Sequence, residues 1–160
     1  ARPSANVFSN GEVSRLDVDE MIRECLVLLR HSPEISDRHI LDYEPPEQLP
    51  VTVKANETQI KQVFWNLSKN AIQAMPKGGE FTIKLKTTAG KRVQIIFEDT
   101  GKGISSKQLE HIFEPFSANS NGTGLGLSIV HKIVTDHNGK IDVKSEVGKG
   151  TKITIELPEH

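Results

Sequence analysis

Apolar residues recur every three or four positions in three stretches of the chain, which predicts three principal helices. The first helix begins after Asp17, because the D-x-x-E pattern that starts there is typical of a helix N-terminus. Ile22, Leu26 and Leu29 form its apolar side. We expect this helix to end near the Ser-Pro pair at residues 32–33.

The second helix combines a wide apolar stripe with a polar stripe along its border. Asn56 can cap this helix, with Gln59 as its partner three residues later. The apolar stripe contains Ile60, Val63, Phe64, Leu67, Ala71, Ala74 and Met75. The polar stripe contains Asn66, Asn70 and Gln73, at i, i+4 and i+7. The two asparagines, one turn apart, can therefore be aimed at the same place.

Six segments have the residue types and alternation of strands. HILDYE and VTVKA lie on either side of a proline-rich turn, FTIKLKTT and RVQIIFED suggest an antiparallel hairpin, and KIDVKS and TKITIEL come last. A short helix over SSKQLEHIF, capped by Ser105, and a longer helix over GLSIVHKIVTDH, ending near Asn138-Gly139, precede the last two strands. This order predicts an α+β two-layer sandwich, with one mixed, mainly antiparallel sheet covered by about three helices.

The composition is that of one globular domain without a strongly charged partner. With 20 basic and 21 acidic residues, the net charge is −1, which argues against nucleic acid and acidic membrane surfaces as main partners. The single cysteine, Cys25, cannot form an internal disulfide and fits a reducing compartment, so we expect a cytoplasmic location. No apolar run reaches the roughly 18 residues of a membrane span, although a parent protein could be membrane-anchored. We expect residues 1–14 to be a linker and residues 15–160 to be one domain.

Three short segments carry candidate chemistry. The carboxamide oxygens of Asn66 and Asn70 are neutral, hard ligands suited to Mg²⁺. Asp99 ends an apolar strand in DTGKGI, where its carboxylate can accept a hydrogen bond from the amine of adenine. Gly101 and Gly103 would let the backbone pass close to the base. GTGLGLSIV opens a helix, and helix N-termini present free N–H groups to phosphate.

The glycine spacing of the third segment is not that of a Rossmann fingerprint, and the chain contains no P-loop pattern. In order and spacing, the three segments instead resemble the N, G1 and G2 boxes of the histidine-kinase catalytic domain. That family belongs to the wider ATP-binding group of gyrase, Hsp90, histidine kinases and MutL. NAIQAM is similar to the short-lid subgroup of nitrogen-regulatory sensor kinases. The resemblance implies a Bergerat-type ATP-binding fold, with ATP and Mg²⁺ as cofactors.

The resemblance also implies roles for individual residues, with Asn66 and Asn70 as the catalytic pair. Asn70 would coordinate Mg²⁺, and Asp99 would bind the adenine amine with support from Thr151. Asn66 stands where related ATPases carry a water-activating glutamate, so we expect inefficient hydrolysis. The other implied ATP contacts are Lys69, Ala74, Gly101, Gly103, Ile104, Phe116, Gly122, Thr123, Gly124, Leu125, Gly126 and Leu127. For Lys69 a solvated surface position is an equal alternative, since it points about 100° away from Asn70 on an ideal helix.

Phe113 and Phe116, in IFEPF, match the F box of the family, although a core position is the simpler interpretation of Phe113. Five residues, SANSN, separate Phe116 from Gly122, so the implied ATP lid is very short. Short-lid relatives often carry Thr-Thr-Lys here, whereas this chain has no basic residue between Lys107 and Lys132. The lid would therefore lack a cation to neutralise the γ-phosphate.

None of the six histidines is followed by an acidic residue, as the phosphoacceptor histidine of this family usually is. The resemblance therefore implies a catalytic fragment that phosphorylates a histidine on a separate dimerisation domain, with a response regulator downstream. Two alternatives remain open. An anti-sigma-type serine kinase shares the ATP fold, and a non-catalytic nucleotide-sensing module would fit a lid without lysine.

Overall fold

The computed structural model describes residues 12–115 and 126–160. Within these ranges it contains seven strands and four helices. In chain order they are β1 (Ser14–Asp17), α1 (Val18–Arg30), β2 (His39–Glu44), β3 (Thr52–Ala55), α2 (Glu57–Gln73), β4 (Gly79–Thr87), β5 (Arg92–Asp99), α3 (Ser106–Leu109), α4 (Gly126–Asp136), β6 (Lys140–Glu146) and β7 (Gly150–Pro158). None of the helices within these ranges has the length and apolar content needed to cross a membrane.

Five strands form one mixed sheet in the order β2-β4-β5-β7-β6. β2 runs parallel to β4, and every other neighbouring pair in this sheet is antiparallel. The predicted mixed, mainly antiparallel sheet and its β4–β5 hairpin are therefore confirmed. β1 pairs with β3 in a separate two-stranded antiparallel sheet. The sequence pattern did not predict β1, because its four residues, SRLD, are too few to show an alternation.

The helices α1 and α2 begin at the predicted caps. Oδ1 of Asp17 accepts a hydrogen bond from the backbone N–H of Glu20 at 3.0 Å, and Oδ1 of Asn56 accepts one from Gln59 at 3.1 Å. Both bonds satisfy amide groups that have no partner inside the helix. α3 ends before the predicted Phe113, because the chain after it continues in turns closed over three residues rather than four.

The apolar core lies between the five-stranded sheet and the helices α1, α2 and α4. Phe64 of α2 meets Phe97 of β5 edge to face, with ring centroids 6.0 Å apart. Burying a side chain of this size contributes roughly 1.5–3 kcal/mol, so the alternation along β5 determines which face the helices cover. The opposite face carries ion pairs, such as Lys84 with Glu98 at 3.1 Å. The predicted two-layer α+β arrangement is confirmed.

Candidate nucleotide site

A cavity of about 340 Å³ opens where α2, the end of β5 and the starts of β7 and α4 meet. Its apolar lining residues are Leu67, Ala71, Ala74, Phe81, Phe97, Ile104, Leu127, Val147 and Ile153. Its polar lining residues are Asn70, Asp99, Lys102, Gln108 and Thr151, and Gly103 completes the wall. An apolar cavity of this size with a few convergent polar groups is typical of a small-molecule site.

Predicted site residues from several separate segments meet in this cavity. They are Asn70, Ala74, Asp99, Gly103, Ile104, Leu127 and Thr151. The predicted contacts Phe116, Gly122, Thr123, Gly124 and Leu125 lie outside the described residues. The structure thus brings the N segment, the G1 segment and the first turn of α4 to one place.

The two asparagines of α2 both lie next to the start of α4. Nδ2 of Asn66 donates to the carbonyl oxygen of Gly126, at a distance of 3.5 Å. A Cβ atom on Gly126 would lie 3.9 Å from both polar side-chain atoms of Asn70. Asn70 lines the cavity, while Asn66 contacts the helix beside it. The i, i+4 spacing therefore directs both carboxamides toward the junction of the two helices.

Lys69 lies on a different side of α2. Together with Leu29, Ile35 and Trp65 it lines a second, smaller cavity of about 80 Å³. Consecutive positions on a helix differ by about 100°, which explains why Lys69 and Asn70 face different cavities. The structure places Lys69 as an exposed lysine and does not bring it together with the other predicted contacts.

Asp99 is the last residue of β5, and in the antiparallel register it lies opposite Thr151 of β7. Its Oδ1 accepts a hydrogen bond from the backbone N–H of Gly101 at 2.8 Å. Burial raises the pKa of the Asp99 carboxyl, and hydrogen bonds from the backbone of Gly101 and Thr151 only partly oppose this effect. A carboxylate removed from water in this way gains by accepting a further hydrogen bond from a ligand.

Two glycines allow the loop after β5 to pack against neighbouring backbone. A Cβ atom on Gly101 would lie 2.6 Å from the carbonyl oxygen of Ala74, at the end of α2. Gly103 has φ +77°, and a Cβ atom there would lie 2.2 Å from the carbonyl oxygen of Glu146. We expected these glycines to allow close approach to a base. The close approach in the structure is to the protein's own backbone, which clamps the loop between α2 and the β6–β7 turn.

Comparison with known proteins identifies the family. Residues 55–160 match the family described as histidine kinase-, DNA gyrase B-, and HSP90-like ATPase. The chain belongs to this family. Its relatives and structural neighbours are named kinases, and the predicted identity as the ATP-binding catalytic domain of a histidine kinase is confirmed.

The similarity to individual kinases extends over nearly the whole domain. Sporulation kinase C of Bacillus subtilis (strain 168) is 35% identical over 159 residues, which cover 99% of this chain and 36% of that kinase. The nucleotide-free catalytic domain of histidine kinase ThkA superposes with a TM-score of 0.79 at 33% identity, covering 93% of this chain and 97% of that one. ThkA in complex with response regulator protein TrrA gives a TM-score of 0.76 at 32% identity, covering 92% and 42% of the two chains.

The sequence pattern did not predict a role for one polar residue of this histidine-kinase domain, Ser145. Ser145 of β6 lies opposite Thr151 in the β6–β7 hairpin. Its Oγ lies 2.8 Å from Oγ1 of Thr151 and accepts a hydrogen bond from the backbone N–H of Ile104 at 2.7 Å. The hairpin turn is centred on Gly148, so residues 145 and 151 are equally far from the centre, and this register could have identified Ser145.

Proposed function

We propose that this domain binds Mg-ATP in the cavity and transfers the γ-phosphoryl group to a histidine on a separate dimerisation domain. The observation that carries the proposal is the meeting of Asn70, Asp99 and Thr151 around one apolar cavity in a chain of this ATPase family. A response regulator would receive the phosphoryl group next, and the similarity to ThkA, solved with TrrA, supports that partner. We place this activity in the cytoplasm.

The base of the nucleotide would occupy the part of the cavity next to the sheet. Phe97 and Ile153 offer apolar surface to a purine, and the neighbouring Asp99 carboxylate can accept a hydrogen bond from the adenine amine. Thr151, opposite Asp99 in the sheet, provides a second oxygen at the same end. A carboxylate acceptor beside an apolar wall favours an amino-substituted base.

The phosphates would lie toward the junction of α2 and α4. The first turn of α4 lies beside Asn70, and the free N–H groups of a helix N-terminus favour phosphate there. Lys102 lines the same cavity and can contribute a positive charge. The N-terminus of α4 and Lys102 would both bind the phosphates and would be unchanged by the reaction.

The donor set of the cavity would suit a Mg²⁺ ion that binds together with the nucleotide. Among the described residues, no group of three or more His, Cys, Asp or Glu side chains could hold a metal ion. Mg²⁺ in nucleotide sites uses one or two protein oxygens and takes the rest of its ligands from water and phosphate. The Asn70 carboxamide oxygen is such a ligand. When bound, the ion supplies neutralisation of the phosphate charge.

Asn66 suits transfer to a histidine better than hydrolysis. Its carboxamide cannot take a proton from water at neutral pH, so it provides no general base. Its Nδ2 instead donates to Gly126 and so joins α2 to α4. Catalysis would therefore rest on positioning and charge neutralisation, with the attacking nitrogen supplied by the partner domain.

The test is a phosphotransfer assay with γ-labelled ATP and an added dimerisation domain that carries its phosphoacceptor histidine. We expect acid-labile label on the dimerisation domain, and no label when its histidine is replaced by alanine. Acid-stable label on a serine substrate would favour an anti-sigma-type kinase. ATP binding without any transfer would favour a nucleotide-sensing module, and absence of ATP binding would contradict the proposal altogether.

A further inference from the structure

Three polar side chains lie in one row across three adjacent strands at the base end of the cavity. Asp99 ends β5, Thr151 lies opposite it in β7, and Ser145 lies opposite Thr151 in β6. Asp99 and Thr151 line the cavity, whereas Ser145 stands next to Thr151 in the row. Because strand pairing fixes all three backbone positions, their relative placement does not depend on a flexible loop.

The Ser145 hydroxyl has three polar neighbours. The backbone N–H of Ile104 donates to its Oγ at 2.7 Å. The carbonyl oxygen of Gly150 lies 2.9 Å from the same Oγ, and a carbonyl can only accept. Oγ1 of Thr151 lies 2.8 Å away and can donate or accept.

A serine hydroxyl has one proton to donate and two lone pairs with which to accept. The proton must go to the Gly150 carbonyl, since two acceptors at 2.9 Å without a proton between them would repel each other. One lone pair takes the Ile104 N–H. The remaining lone pair is then available only to a donor, so the Thr151 hydroxyl must donate its proton to Ser145.

We propose that Ser145 is a positioning residue that holds the hydroxyl proton of Thr151, so that Thr151 offers only lone pairs to the nucleotide base. This inference rests on the proposed function, because it assigns the base end of the same cavity. Asp99 and Thr151 would then both be acceptors, which suits the two N–H donors of an amino group. A base with a carbonyl at that position would bring a third acceptor against them.

Inosine triphosphate is a sharp probe of this arrangement, because its base carries a carbonyl where adenine carries the amine. If Ser145 is replaced by alanine, the Thr151 hydroxyl is released and can turn its proton toward that carbonyl. Ser145→Ala should therefore weaken the binding of ATP, whereas inosine triphosphate should bind as well as before or better. We expect the ratio of the ATP affinity to the inosine triphosphate affinity to fall by about tenfold.

The experiment measures both affinities by calorimetry, with Mg²⁺ present, for the unaltered domain and for matched variants. Ser145→Thr keeps a hydroxyl and should keep the ratio. Ser145→Cys places a thiol there, and because sulfur is a weak acceptor for the Thr151 proton, this variant should shift the ratio in the same direction as alanine, which provides a second test if Ser145→Ala does not fold. In a Thr151→Val background, Ser145→Ala should leave the ratio unchanged, because no hydroxyl remains to be oriented.

The outcomes separate this inference from the proposed function. Equal weakening of both nucleotides by Ser145→Ala would show a general structural role and overturn the inference, while ATP binding by the unaltered domain would leave the proposed function intact. A shift of the ratio that persists in the Thr151→Val background would also overturn it. An unaltered domain that binds neither nucleotide would contradict both.

Discussion

The two ends of the cavity are built differently. The end that we propose for the base consists of side chains on three hydrogen-bonded strands, where Asp99, Thr151 and Ser145 lie in register. The end that we propose for the phosphates lies at the junction of two helices, where Asn70 faces the first turn of α4. Strand pairing fixes the backbone at the first end, whereas binding at the second end would depend on Mg²⁺ and phosphate groups that are not part of the protein.

This difference indicates where selectivity and where chemistry reside. A rigid row of acceptors can discriminate between bases that differ by one donor, because a mismatched polar group in a desolvated site stays unpaired. Phosphoryl transfer needs charge neutralisation and alignment, which Mg²⁺ and a partner domain can provide. Changes at the base end should therefore alter which nucleotide binds, and changes at the phosphate end should alter what happens to it.

The largest expected effect is at the phosphate end. Asn70→Ala removes the proposed metal ligand, so phosphotransfer should fall at least about a hundredfold, equal to about 2.7 kcal/mol of transition-state free energy. The matched control is Gln73→Ala, an exposed amide on the same helix, which should keep full activity. Intact transfer together with unchanged Mg-ATP affinity in Asn70→Ala would refute the metal assignment.

At the base end, Asp99→Asn should weaken ATP binding more than GTP binding. The variant loses an acceptor for the adenine amine, which should cost on the order of 1–3 kcal/mol of ATP affinity. GTP should be affected less, since the new amide nitrogen can donate to the guanine carbonyl. Calorimetry with both nucleotides checks this, with Asp42→Asn as an exposed control. Equal losses of affinity for ATP and GTP would show that Asp99 only stabilises the turn and does not bind the base.

The loop that follows β5 should be intolerant of added volume. Gly101→Ala places a methyl group 2.6 Å from the Ala74 carbonyl oxygen, which should lower the free energy of unfolding by about 1–3 kcal/mol. Gly90→Ala, in the turn between β4 and β5, meets nothing within 4 Å and should change it by less than about 0.5 kcal/mol. Denaturant unfolding of both variants provides the comparison. Equal stabilities would show that the loop relaxes freely.

The raised pKa of Asp99 predicts a conflict between stability and binding. Folding strengthens proton binding at this carboxyl, so its contribution to stability falls as pH rises from below the ordinary aspartate pKa to above the raised one. At neutral pH, Asp99→Asn should therefore raise the midpoint temperature of thermal unfolding and lower the affinity for ATP. The difference between the two proteins should shrink in acid, where the native Asp99 is protonated. A variant less stable than the native domain at neutral pH would contradict this.

The smallest expected effect concerns the terminal phosphate. The segment SANSN has no basic residue, so ATP and ADP should bind within about tenfold of each other. Asn119→Lys should shift the preference toward ATP through a charge-assisted hydrogen bond, and Asn119→Gln should not. An unaltered domain that already prefers ATP a hundredfold would show that another group neutralises the γ-phosphate.

Prediction from sequence succeeded where the pattern was local. The Asn56 cap correctly predicted where α2 begins. The apolar period correctly predicted which side of α2 is buried, and therefore on which side Asn70 lies. The parallel pairing of β2 with β4 was not predicted, since strands separated by a helix leave no local trace of their pairing. Ser145 was missed for a different reason. Its importance arises from hydrogen bonds to Thr151 and Ile104, which become visible only once the hairpin register is known.

The two faces of α2 have a consequence for how related genes can differ in length. This helix buries residues such as Phe64 in the core and points Asn70 into the cavity. One codon inserted between Asn56 and Asn70 would rotate the rest of the helix by about 100° and shift it by about 1.5 Å. The apolar side chains after the insertion would then turn out of the core, and Asn70 would turn out of the cavity. We therefore expect related genes to lack insertions and deletions in this helix and to contain them more often in the turn at Gly90.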